Sequence, residues 1–196
     1  MKRLLLILIL TLSYQSLTKA DDIRDFQIEG ISIGDSLLDF YSRSIIKDAI
    51  KNTKNNYKDK SFYRVYLDSK TFSFKKYDGL NFHMKKNDNN YIIYSITGLK
   101  FYKDIDRCYI DKKKIVNDLK NLFPQAKIQN VKKKHSGDKS GKSKTDTTYL
   151  NFKSYDNAGV ACYDWSKKMN FDDNLRIFLD SSDFRIWINN KACLLY

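Results

Sequence analysis

The chain predicts an α+β domain: an antiparallel sheet of about seven to eight strands with two or three helices packed on it. Two observations carry this class. Strand-like segments follow one another with reversals of only two to five residues, too short for the crossovers that parallel strands require. Amphipathic stretches with helix-start signals stand before each run of strands, so the order falls into two helix-plus-meander halves.

The first twenty residues are set apart from that domain. "MKR" supplies a positive start, "LLLILILTL" a nine-residue apolar run, and Thr18-Lys19-Ala20 a small residue at a cut. This pattern predicts a secretory signal peptide over residues 1–20, with Asp21 as the new N-terminus. The run is shorter than the ~20 apolar residues of a bilayer-spanning helix, and no cysteine follows it for lipid attachment. The expected location is therefore periplasmic or secreted, with no transmembrane anchor after cleavage. Residues 21–196 remain, a length that suits a single domain.

In the remaining chain, Ser36-Leu37-Leu38-Asp39 fits a capping box, and Leu37, Leu38, Tyr41, Ile45 and Ala49 recur at helical spacing, which predicts a helix over 36–51. Residues 51–60 read as a loop. "SFYRVYLD", "TFSFKKY", "LNFHMKK" and "YIIYSITGLKFYK" read as strands. In 80–86, Leu80, Phe82 and Met84 alternate with Asn81, His83 and Lys85, which assigns His83 to a wet face. Asp88-Asn89-Asn90 marks a reversal, making 80–102 a hairpin.

Asp111 reads as the N-cap of a second helix, with Ile110 stapled to Ile115. Ile115, Val116, Leu119, Leu122 and Phe123 form its stripe, and Pro124 its stop. Strands follow near 126–134, 146–155, 159–166 and 174–180, the second and third joined by a turn at "DNAG". A closing helix starts at Ser182, capped by Ser181, with Asp183 in its first turn and Phe184, Trp187, Ile188 and Ala192 on one face.

Charge and cysteines bound the function. Without Lys2, Arg3 and Lys19 the chain keeps 33 basic and 23 acidic residues, a net +10. Such a surplus favours an anionic ligand or protein partner, although lysine-rich composition also follows from AT-rich coding. No specific nucleic-acid recognition is indicated. Of Cys108, Cys162 and Cys193, an oxidising compartment pairs two; Cys193 lies at the carboxyl end, so the expected disulfide is Cys108 with Cys162.

Several stretches invite a sharper reading. "GDSL" at 34–37 is the name of a serine-esterase family, but helix residues follow it and no D-x-x-H supplies a base. Without a base a serine hydroxyl is a weak nucleophile, and Ser36 reads as a cap. "SGDKSGKS" at 136–143 is one substitution from a phosphate-binding G-x-x-x-x-G-K-S, yet a strand pattern follows where a helix is needed.

What survives there is a mobile cationic loop. Lys132, Lys133, Lys134, His135, Lys139 and Lys142 are the candidate anion-binding residues. In "ACYDWS", Tyr163 and Trp165 share a strand face and form a candidate aromatic surface. Two isolated histidines and unpaired cysteines fit no zinc spacing, "FDDN" lacks the glycine and glutamate of a calcium loop, and no cofactor motif occurs.

Taken in order, "EGISIGDSLLDFYS", "KHSGDKSGKS" and "CYDWSKKM" resemble a group of small exported proteins of AT-rich marine bacteria. The resemblance implies an exported domain and carries over no catalytic residue and no substrate. The helix-then-meander order is also similar to the modules of β-lactamase-inhibitor-like and outer-membrane-assembly lipoproteins, a likeness of fold only. The functional expectation is a non-catalytic binding or interaction domain that meets an anionic ligand or partner. The alternative is a periplasmic hydrolase built on a carboxylate or serine.

Overall fold

The computed structural model describes residues 22–192; the signal peptide expected over 1–20 and Cys193 lie outside them. Seven strands form one antiparallel sheet: β1 Phe62–Asp68, β2 Gly79–Lys85, β3 Ser95–Tyr102, β4 Lys127–Lys134, β5 Lys144–Asn151, β6 Asn157–Asp164 and β7 Asp173–Asp180. Their spatial order is β1-β2-β3-β7-β6-β5-β4. Two meanders therefore meet at an eight-pair β3–β7 seam, each preceded by a helix: α1 Arg43–Asn52 and α2 Ile105–Leu122. The α+β class predicted from sequence is the one observed.

Alternation builds the main core on one face. Val65, Leu67, Leu80, Phe82, Met84, Ile96, Val160, Cys162, Leu175, Ile177 and Leu179 point toward α1 and α2 and are buried with Ile46, Cys108, Val116 and Leu119. Burying each such aliphatic side chain contributes about 1.5–3 kcal/mol. The Cys108–Cys162 disulfide joins α2 to β6 across 54 residues, the pairing expected from sequence. No helix among the described residues is long and apolar enough to cross a membrane.

The third helix, α3 Ser182–Asn190, starts at the Ser181 cap as predicted but packs on the opposite face. There Tyr57, Phe62, Phe184, Trp187 and Ala192 make a second, smaller core. His83, expected on a wet face, is consequently only 8% exposed. Strand alternation identified the face correctly; α3, arriving from the far end of the chain, covers it.

Other departures have local causes. The helix expected over 36–51 is split. Ser36 caps a 3-10 turn, Leu37–Asp39, and Ser42 caps α1, because short hydroxyl side chains compete for backbone donors and restart the helix.

α2 begins at Asp104 rather than Asp111. The earlier cap places Ile105, Cys108, Lys112, Val116 and Leu119 on the sheet side, while Asp111 accepts from Tyr102 Oη at 2.7 Å and Ile110 is 47% exposed instead of stapled. "TFSFKKY" is not a strand. Its amides are taken elsewhere: Thr71 N donates to Asp68, and Lys75 N and Lys76 N donate to the Glu29 carboxylate.

The strand expected from Tyr91 starts at Ser95, since Tyr91 lies at φ +52° and Ile93 pairs with the 34–35 backbone. The β5–β6 reversal is 152–156, with Tyr155 at φ +69°, so "DNAG" mostly enters β6.

Candidate binding face

The register aligns side chains in rows across the face turned away from α1 and α2. One row runs Arg64, His83, Ser95, Asp180, Asn157, Asn151, Lys127, one residue from every strand and all of them polar. The next runs Tyr66, Asn81, Thr97, Phe178, Gly159, Tyr149, Gln129. A third contains Asp68, Gly79, Leu99, Arg176, Ala161, Thr147 and Val131.

Within the polar row, Tyr57 Oη and His83 Nε2 share a hydrogen bond of 2.8 Å, and Ser95 Oγ donates to Asp180 Oδ1 at 2.7 Å. The His83 ring lies 4.4 Å from that of Phe184. Burial pushes the Asp180 carboxyl up to about 7, against the opposing Ser95 bond. Burial, then the Arg64 charge, pushes the His83 imidazole down to about 3. Near neutral pH this row therefore holds an uncharged imidazole and a carboxyl close to its midpoint. Ser95 donates to the carboxyl and has no bond to His83, so the three do not form a nucleophile–base pair.

The adjacent row is flattened by glycine. A Cβ at Gly159 would overlap the Phe178 ring, and one at Gly79 would overlap Tyr66; with neither present, both rings lie down on the sheet. The surface is thus broad and shallow, with half-buried Phe178 near its centre, Tyr149 toward one edge and Tyr66 on the edge strand β1.

Of the residues predicted from sequence, His135, Tyr163 and Trp165 sit together at one corner of this face. His135 packs 4.5 Å from Trp165 and 5.9 Å from Tyr163, the two predicted aromatics stack at 5.7 Å, and Arg176 Cζ stands 3.7 Å over the Tyr163 ring. Phe171, 59% exposed, meets Trp165 at 5.0 Å. Burial, then Arg176 and Lys133, hold the His135 imidazole below its ordinary value.

The loop is not the mobile segment expected. Asp138 accepts from Ser140 N, Ser143 N, Ser143 Oγ and Ser166 Oγ, which ties 138–143 to the end of β6. Those bonds hold the Asp138 carboxyl well below the carboxylate range.

The lysines do not converge. Lys132, Lys133 and Lys134 are consecutive in edge strand β4, so Lys133 points to the open face while Lys132 and Lys134 point to the helix side; Lys139 and Lys142 are exposed on the loop itself. A run of lysines on an edge strand also blocks unwanted pairing there.

All the buried side-chain polar atoms without a hydrogen-bond partner among the described residues belong to this face: Arg64 Nε, Asn81 Oδ1, His83 Nδ1, Asn157 Oδ1 and Trp165 Nε1. Each such group costs about 1–3 kcal/mol when left unmet. Of these, only Trp165 had been singled out from sequence. The burial of the others comes from α3 and from the meeting of β3 with β7, neither of which a local pattern specifies.

Elsewhere, Ser36 Oγ donates to Asn90 O at 2.6 Å and accepts from Leu38 N at 3.2 Å, the bonding of a cap. Among the described residues no group of three or more His, Cys, Asp or Glu could hold a metal ion. No family model, no curated protein and no solved structure matches the chain.

Proposed function

We propose that this is an exported, non-catalytic interaction module whose open sheet face takes an acidic protein partner. The observation that carries the reading is the accessible aromatic corner, where Trp165 stacks on Tyr163 and meets the exposed Phe171 while Arg176 stands over the Tyr163 ring.

Charge and residue type agree with it. Arg64 and Arg176 have no carboxylate partner among the described residues. Tyr, Trp and Arg are the types that concentrate binding energy at protein interfaces. The Tyr163–Trp165–Phe171 corner supplies the apolar anchor.

Capture from a periplasmic extract across a salt series tests this, with wild type beside a Trp165→Ala/Arg176→Ala variant. A partner that salt removes and the variant misses is the expected result; identical retention by both proteins would sink the proposal.

The alternative, a hydrolase, is favoured by one observation, the near-neutral Asp180 carboxyl bonded to Ser95 in the same row as His83. An ester-hydrolysis screen of wild type beside Ser95→Ala and Ser36→Ala decides it. Turnover abolished by either substitution would replace the binding reading with an enzymatic one.

A further inference from the structure

A second surface, on the helix side and independent of the open-face reading, carries a site of its own. α2 covers the centre of the sheet but stops short of the β4–β5 edge, and its flank and that edge enclose a cleft of about 460 Å³. Lys112, Lys113, Lys120 and Lys132 line it together with a single acid, Asp146.

The base of the cleft is fixed. Lys112, only 8% exposed, forms an ion pair with Asp146, and Lys132 approaches the other carboxylate oxygen at 3.4 Å. The disulfide reinforces this geometry from both sides, because Cys108 lies one helical turn before Lys112 and Cys162 is the cross-strand partner of Asp146. Wall and floor are thereby covalently joined next to the charges, which is the arrangement that pre-pays the ordering cost of binding.

One aspartate against four lysines leaves a surplus of positive charge in a concave, partly desolvated space, where the field is focused. Lys113 and Lys120 have no ion-pair partner among the described residues. They stand seven residues apart on α2, about 10 Å along the axis at ~1.5 Å per residue. Asn117, one turn from each, offers an amide donor between them. The two exposed ammonium groups on the wall and the Lys112–Lys132 pair at the base give separate points of contact, which a ligand with several anionic groups in line can engage together.

We infer that the α2–β4–β5 cleft binds an oligoanion carrying two or more phosphate or sulfate groups, with Lys113 and Lys120 on separate groups and Lys112 and Lys132 at the base.

Calorimetric titration of the mature chain at low ionic strength with tripolyphosphate, and separately with a heparin tetrasaccharide, tests the inference. One-to-one binding of at least one probe is expected, and the probe that binds identifies the anionic group as phosphate or sulfate. Lys113→Gln/Lys120→Gln should weaken that binding by about tenfold or more, since two charge contacts are removed. Lys47→Gln/Lys54→Gln takes the same charge from exposed positions in and just after α1, away from the cleft, and should change it by less than about twofold. All four positions are exposed, so both variants retain the fold. Absence of one-to-one binding by both probes, or equal weakening in the two variants, would overturn the assignment and reduce the effect to diffuse net charge.

Discussion

At the scale of single residues, His83 and Asp180, each shifted by its own burial, move stability in opposite directions with pH. Asp180 keeps its proton in the folded chain up to about pH 7 but loses it near 4 when unfolded. Between those values the unfolded state binds fewer protons, and stability falls as pH rises. His83 stays unprotonated when folded down to about pH 3, while the unfolded imidazole protonates near 6.5, so its contribution falls as pH drops. Over roughly pH 4 to 6.5 the two effects offset.

Asp180→Asn should therefore gain on wild type as pH rises from 4 to 7, by about 1.4 kcal/mol per pH unit. His83→Gln should gain on it as pH falls from 6.5 to 4 with a similar slope. Urea unfolding of the three proteins across this range measures both tilts, and parallel curves would show that these groups titrate alike in both states. Neither role was legible beforehand. Alternation identified the face of His83, and only the returning α3 determines that this face is dry.

Among elements, α2 depends most on links made outside itself. Beyond its Asp104 cap, it is joined to the sheet by the disulfide and, one turn later, by the buried Lys112–Asp146 pair. Closing a loop of 54 residues confers about 4 kcal/mol in the chain-entropy account. Cys108→Ala/Cys162→Ala should lose stability of that order. Amide exchange should speed up in α2 before the β3–β7 seam, and equal acceleration in both would contradict this view of α2.

Most strands, α3 and the disulfide could be read from the chain because each is specified by its own period, cap or cysteine count. The start of α2 could not, because Asp104 and Asp111 are equally good caps and only packing against β6 selects between them. The same holds for the candidate site. Trp165, Tyr163 and His135 were visible as residue types in short distinctive stretches, whereas Asn157 joins the row of Arg64 and His83 only because β7 inserts between β3 and β6, an order that is not sequential.

For the molecule as a whole, the seam joining the two meanders spans eight residue pairs and lies beneath a core shared by α1 and α2. The halves have no separate interior and should unfold together. The two tryptophans report from distant places, Trp187 in the small core under α3 and Trp165 at the aromatic corner. Single-tryptophan variants Trp165→Phe and Trp187→Phe should each show one transition coincident with far-ultraviolet circular dichroism. Distinct midpoints for the fluorescence and dichroism of either variant would mean that the halves are separable units.

The return of α3 also bears on how the chain matures. Trp187 Nε1 donates to Asp59 Oδ1 across 128 residues, so the small core is closed by α3 over a loop that precedes β1. A chain released early, or clipped after β7, would leave Tyr57, Phe62 and His83 uncovered, an apolar and polar-unmet patch of the kind that proteases and chaperones engage. That patch is thus guarded by a helix more than a hundred residues downstream, and it stays hidden only while α3 is in place.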